Sequence, residues 1–212
     1  KLMEFNPDQV HGVIINSGNA NACTGTEGDS NTKRTAEAVE KLLDIGDNSV
    51  HVMSTGVIGA QLPMDNLLNG IPKAVADLRP DGWEDAAKAI MTTDTVHKLV
   101  TREVNLNGTP VRFTGICKGA GMIHPDMATM LGVVTTDANI AQPVLQQALS
   151  QSIAGSFNRI SVDGDTSTND TVLVLANGMA NNTEITDANS NDFSQFTDAL
   201  TDISMELAQA LV

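Results

Sequence analysis

The stretch Lys118–Ala138, KGAGMIHPDMATMLGVVTTDA, decides how this chain is read. A lysine and two glycines lead through Pro125 to Thr129, which opens an apolar, β-branched run that predicts a strand over Thr129–Thr136. A threonine hydroxyl is a poor nucleophile at neutral pH and needs a base. If the Ala128–Thr129 bond is cut, Thr129 gains a free α-amine whose ordinary pKa of about 7.7–8.0 suits a general base. Nucleophile and base then belong to one residue. The same hydroxyl, attacking the Ala128 carbonyl, is the group that would cut the bond. The alternative is a threonine in a strand for its β-branched shape alone. The residues by themselves leave both readings open.

Outward from this stretch, β-type runs alternate with amphipathic helices. Gly12–Asn16 reads as a buried strand before the small-residue loop SGNANACTGTEG. Thr32–Ile45 reads as a helix with Ala36, Val39 and Leu43 on one face. Ser49–Thr55 is a second strand running into the glycine-rich turn GVIGA. Ile71–Leu78, with Pro72 in its first turn, and Gly82–Met91 read as helices separated by Arg79-Pro80-Asp81-Gly82. Leu99–Leu106 and Thr109–Ile116 flank Asn107-Gly108, the strongest short-range hairpin signal. Pro143–Phe157 reads as a helix, and Arg159–Val162 and Thr171–Ala176 as strands around DGDTSTND. Asp192–Val212 reads as a long helix with Phe196, Leu200, Ile203, Leu207 and Leu211 on its apolar side. No linker composition divides the chain, so α+β with one extended core is expected.

Of the 212 residues, 41% are hydrophobic and 18% charged, which is globular rather than disordered composition. The net charge of −14 argues against nucleic acid and against an anionic membrane surface as partners. Cys23 and Cys117 make neither a disulfide framework nor a zinc spacing, and are expected as free thiols in a reducing, cytoplasmic setting. Aromatic residues, at 3% with no tyrosine, are too sparse for base-stacking platforms. His11, His51, His97 and His124 show no metal spacing, so no metal site is expected. No G-x-S-x-G elbow or phosphate-binding P-loop is present. DGDTSTND lacks the terminal glutamate of a calcium loop and reads as a hydrogen-bonded turn.

Six stretches occur in one order along most of the chain: INSGNANACTG (15–25), STGVIG (54–59), IMTTDT (90–95), KGAGMIHPDMATML (118–131), TTDA (135–138) and FNRISVDGDTSTNDTVLVLANG (157–178). Together they resemble the bifunctional ornithine acetyltransferases of arginine biosynthesis (glutamate N-acetyltransferases, ArgJ type). The resemblance implies a layered αββα sandwich with an amino-terminal-nucleophile-like, self-cleaving site. It implies a single catalytic domain over 1–212, cut between Ala128 and Thr129 into pieces 1–128 and 129–212 that stay associated.

By the same resemblance, Thr129 takes the acetyl group from N-acetylornithine and passes it to glutamate in a ping-pong scheme. Thr55 and Gly56 stabilise the oxyanion, where preorganised donors on a tight turn would meet developing negative charge. Thr92 and Lys118 join Thr129 in binding substrate, and an ammonium at Lys118 suits the α-carboxylate that both substrates carry. Ser17–Ala22 and Asp163–Asp170 frame the site without an assigned chemical role. No cofactor is implied, while acetyl-CoA stays open as an acetyl donor, and a homo-oligomer is expected. Family chains extend further on both sides, so this sequence is expected to be their central portion, without a later DGEGATK segment and a C-terminal domain. A self-cleaving aminopeptidase-like amidohydrolase and an inactive fragment are the alternatives.

Overall fold

The structure, a computed structural model, describes residues 10–123 and 130–212. Its elements run β1 (Gly12–Asn19), α1 (Gly25–Leu43), β2 (Val50–Val57), α2 (Met64–Ala76), α3 (Trp83–Ala89), β3 (Lys98–Leu106), β4 (Thr109–Lys118), β5 (Leu131–Thr136), α4 (Gln142–Gly155), β6 (Thr171–Ala176) and α5 (Asn191–Gln209). This is a mixed α+β fold. The described part of the predicted Thr129–Thr136 strand is β5; Thr129 itself lies outside the described residues. Two compact units divide at Thr92/Thr93 rather than sharing one extended core. Each unit buries its own apolar cluster.

In the first unit, β1 and β2 pair in parallel from Gly12↔Val50 to Asn19↔Val57. Ala36, Val39, Val50 and Ile71 form the cluster beneath them, joined by Ile14, Leu43 and Leu68. Helix α1 begins seven residues before the predicted Thr32, because its first turns, GTEGDSN, carry no apolar residue for periodicity to register. They are nonetheless packed, with Gly28 and Asn31 buried. Helix α2 likewise starts at Met64, which moves Pro72 from the first turn into the helix interior. Proline has no N–H to offer the carbonyl four residues back, and the apolar contacts of Leu68 and Ile71 hold the helix across that gap.

Glu40 ties α1 to the sheet. Its carboxylate is buried, and Oε1 accepts the Ser49 and Val50 N–H groups at 2.9 and 3.1 Å. These donors open β2, and without the carboxylate they would be buried unpaired.

In the second unit, the sheet order is β3-β4-β5-β6. The first two pairings are antiparallel and β5/β6 is parallel. The predicted hairpin forms with Leu106 opposite Thr109, and Asn107 and Gly108 take φ of +50° and +92° as a type I′ turn requires. Helix α5 packs on β3 and β4, with Phe196, Leu200, Ile203 and Leu207 fully buried. Gly115 in β4 permits this approach: a Cβ there would stand 2.8 Å from Leu207 Cδ1. The predicted Arg159–Val162 strand does not form. Phe157–Arg159 is a 3₁₀ turn, and only an isolated bridge joins Val162 to Ile123 before Asp163 turns left-handed.

Glu40→Ala should lower unfolding stability by about 2–4 kcal/mol, since it strands two buried donors, and Glu40→Gln should cost less because one acceptor remains. Urea unfolding midpoints of both variants check this; an alanine variant equal to the parent would contradict it.

Candidate functional site

Thr55 and Gly56 lie at the end of β2, opposite Ser17 and Gly18 of β1. They are strand residues, not part of the expected tight turn, because the β1 pairing continues to Val57. Gly56 still departs from strand geometry, with φ of +130°, and a Cβ there would meet the Gly18 carbonyl carbon at 2.2 Å. Glycine is therefore required by conformation and by space together. Thr55 is buried beside it. Ser17, the partner of Thr55, donates its hydroxyl to the Ala89 carbonyl at 2.8 Å. That carbonyl ends α3, three residues before Thr92, which sits in an exposed bend.

Lys118 is in the second unit, where it ends β4 and is almost wholly buried. Register places Lys118 opposite Leu131, and Leu131 opposite Thr171, in one row across three strands. The row marks the head of β5, two residues past Thr129. Ala128 and Thr129 lie outside the described residues.

Around this row stands a group of charged side chains that the sequence reading does not single out. Asp94 and Lys98 form a buried ion pair. The same Asp94 oxygen accepts the Gly119 N–H at 2.7 Å, and Lys98 Nζ donates to the Gly119 carbonyl at 3.1 Å. The pair thus fixes the backbone next to Lys118. Burial lowers the pKa of Lys118 from its ordinary value, and the nearby Asp94 and Asp170 carboxylates oppose that shift. Burial pushes the neighbouring Cys117 thiol up to about 12, so it stays protonated at neutral pH.

The loop DGDTSTND is a hydrogen-bonded turn, as expected, and it also anchors the chain on both sides of residues 124–129. Asp163 Oδ2 accepts the Met122 N–H at 2.8 Å. Asp170 Oδ1 accepts the Met130 N–H at 2.6 Å, while the Thr171 N–H returns to the Met130 carbonyl at 3.1 Å. Met122 and Asp163 are non-glycine residues with φ of +52° and +69°, a strained conformation of the kind that clusters at functional sites. Asp163 is held below its ordinary pKa by the Met122 and Asp165 N–H groups. Asp170 moves the opposite way, to about 6, because burial outweighs the Met130 hydrogen bond and the charge of Lys118. Asp94 falls within a quoted motif, but nothing in linear sequence distinguishes it from the threonines beside it. Lys98 is not singled out by the sequence, and Asp170 enters there only as the end of the framing stretch Asp163–Asp170, without a role.

Among the described residues, no group of three or more His, Cys, Asp or Glu side chains could hold a metal ion. None of the described helices is long and apolar enough to cross a membrane.

The family model described as "ArgJ family" matches residues 2–212. The chain belongs to the ArgJ family. It is 49% identical over 200 residues to the "Arginine biosynthesis bifunctional protein ArgJ" of Gluconobacter oxydans, covering 94% of this chain and 47% of that protein. It is 51% identical over 213 residues to the mitochondrial protein of that name from Heterostelium pallidum, covering 100% of this chain and 49% of that one. The chain therefore spans about half the length of the curated relatives it matches. A crystal structure of the PH0078 protein from Pyrococcus horikoshii OT3 shares the fold, with a TM-score of 0.55 at 13% identity over 92% of this chain and 64% of that one.

The raised pKa of Asp170 has a consequence for stability. The folded chain holds this proton up to about pH 6, whereas the unfolded chain releases it near the ordinary 3.8. The contribution is fully present below the lower value and is lost as pH rises through the upper one. On an uncut Thr129→Ala background, Asp170→Asn should therefore gain in Tm relative to its parent between pH 4 and pH 7. Thermal melts across that range check it; a pH-independent difference would contradict it.

Proposed function

We propose that this chain carries the acetyl-transfer centre of a glutamate N-acetyltransferase, moving the acetyl group of N-acetylornithine to glutamate. The observation that supports it most is the buried Lys118 in register with the head of β5, within a chain about half identical to bifunctional ArgJ proteins.

In this reading, Thr129 becomes an amino terminus by self-cleavage after Ala128. Its Oγ attacks the acetyl carbonyl of N-acetylornithine while its α-amine takes the hydroxyl proton. Donors at Thr55 and Gly56 stabilise the resulting oxyanion. The amide C–N bond breaks, the proton passes to the departing nitrogen, and ornithine leaves an acetyl ester on Thr129. The glutamate amine then attacks that ester, forming N-acetylglutamate and restoring the hydroxyl.

Lys118 pairs with the substrate α-carboxylate, and Thr92 adds a hydrogen bond. A lysine whose charge is disfavoured by burial gains from such an anionic partner. No cofactor takes part in this transfer, and labelled acetyl-CoA supplied with glutamate alone tests whether a second acetyl donor is accepted. Pieces 1–128 and 129–212 remain associated in an αββα-layered catalytic domain, which assembles into a homo-oligomer in the cytoplasm. Two free cysteines suit a reducing compartment of that kind.

Purified protein extended to the relatives' length should form ornithine and N-acetylglutamate in equal amounts. Thr129→Ala should abolish this, and Lys118→Ala should chiefly raise KM. Activity retained by Thr129→Ala would sink the assignment. Hydrolysis of peptide amides without acetyl transfer would replace it with the aminopeptidase reading.

A further inference from the structure

We propose that Asp94 and Lys98 are positioning residues for substrate binding, which hold the end of β4 so that Lys118 presents its ammonium to the substrate α-carboxylate. The proposal rests on the reading of Lys118 as the group that binds that carboxylate.

Sheet register shows why the end of β4 needs holding. The β3/β4 ladder starts at Lys98↔Cys117, so Lys118, the last residue of β4, has no partner on β3. Its pairing is on the other side, to Leu131 of β5. Lys118 and Gly119 have run past the ladder on the β3 side, yet both are buried. A buried backbone N–H or carbonyl left without a partner is costly.

Side chains take over where the ladder stops. Asp94 Oδ1 accepts the Gly119 N–H at 2.7 Å, and Lys98 Nζ donates to the Gly119 carbonyl at 3.1 Å. That N–H belongs to the peptide plane joining Lys118 to Gly119, and the carbonyl belongs to the next plane. Two successive planes after Lys118 are thus fixed, by side chains that are themselves tied in a buried ion pair. An apolar pair of similar volume often serves stability as well as a buried ion pair does, but it offers Gly119 neither acceptor nor donor.

Lys98 and Cys117 stand opposite one another and project from one face of the sheet, where the Cys117 thiol donates to the Leu207 carbonyl of α5 at 3.6 Å. Lys118, the next residue, projects from the other face. The pair therefore anchors from one side a strand end whose lysine is displayed on the other.

Charge gives the pair a second hold. Among the described residues, the charged groups that act on Lys118 are Asp94 and Lys98 at the head of β3 and Asp170 just before β6. Strand β5, between β4 and β6, carries no titratable residue, and Glu206 of α5 is engaged by Arg102. Asp94 favours the charged form of Lys118, and Lys98 disfavours it. Removing one charge of the pair or the other therefore moves Lys118 in opposite directions.

The test measures kcat and KM for N-acetylornithine in processed protein extended to the relatives' length. Asp94→Leu combined with Lys98→Met removes the clamp and leaves no unpaired charge of the pair buried. Its KM should rise about tenfold, the order set by losing one charge-assisted hydrogen bond, with kcat little changed. A merely structural role would lower the amount of active enzyme, hence the apparent kcat, and leave KM alone.

The single variants add a pH profile of kcat/KM. Its basic limb, where Lys118 loses its proton, should move to lower pH in Asp94→Asn and to higher pH in Lys98→Met. General damage to the fold would not separate the two. A double variant with the parent's KM overturns the proposal, as do limbs that stay put or move together. If the single variants do not fold, the double variant carries the test; if the double variant does not fold, the limbs carry it. An unchanged KM in Lys118→Ala sinks the Lys118 reading and this proposal together. A raised KM there, beside an unaltered double variant, sinks only the proposal.

Discussion

The hydrogen bond from the Met130 N–H to Asp170 is the contact on which the candidate site of the second unit depends. It joins the first described residue after position 129 to the residue just before β6. One residue further along, Leu131 pairs with Lys118 on one side and Thr171 on the other. The placement of the chain entering β5 is thus set by sheet register and by one carboxylate at once. A register slip of a single residue would move Lys118 to the other face of the sheet. The core resists such a slip, because Gly115 must stay beneath Leu207 for α5 to seat.

Electrostatics at this end of the sheet runs against the character of the chain as a whole. A net charge of −14 describes the surface, yet two lysines, Lys98 and Lys118, are buried here with Asp94. Exposed charges are screened within about 8–10 Å at ordinary ionic strength, so the distant acidic residues have little hold on the site. Burying an ammonium is unfavourable without hydrogen bonds and counter-charges, and Asp94 supplies both for Lys98. For Lys118, burial disfavours the charge and the Asp94 and Asp170 carboxylates oppose that effect. The acidic total is then a matter of solubility.

The fold was legible in the sequence wherever side-chain pattern controls the backbone. Asn107-Gly108 marked the hairpin because only residues tolerating positive φ fit a type I′ turn, and the apolar stripe of α5 announced its buried face. The start of α1 was not legible, since a glycine- and asparagine-rich turn is buried for its small size, which hydrophobic periodicity does not score. Thr55, Gly56, Thr92 and Lys118 stood out only through the resemblance of whole motifs to a family. Lys98 was silent because its contact with Gly119 forms only in the fold, and Asp170 was legible only as the end of a stretch framing the site, without a role. Asp170 in particular looks like any turn aspartate until the Met130 N–H is found against it.

The central claim is that Thr129 is an amino-terminal nucleophile. Intact-mass analysis of the protein incubated with N-acetylornithine tests it most directly. Within these 212 residues, cleavage after Ala128 separates 128 residues from 84, that is 212 − 128. The account predicts a break at that bond and one acetyl group carried by the piece that begins with Thr129. An uncut protein that transfers acetyl groups, or an acetyl group found on any other residue, would contradict it.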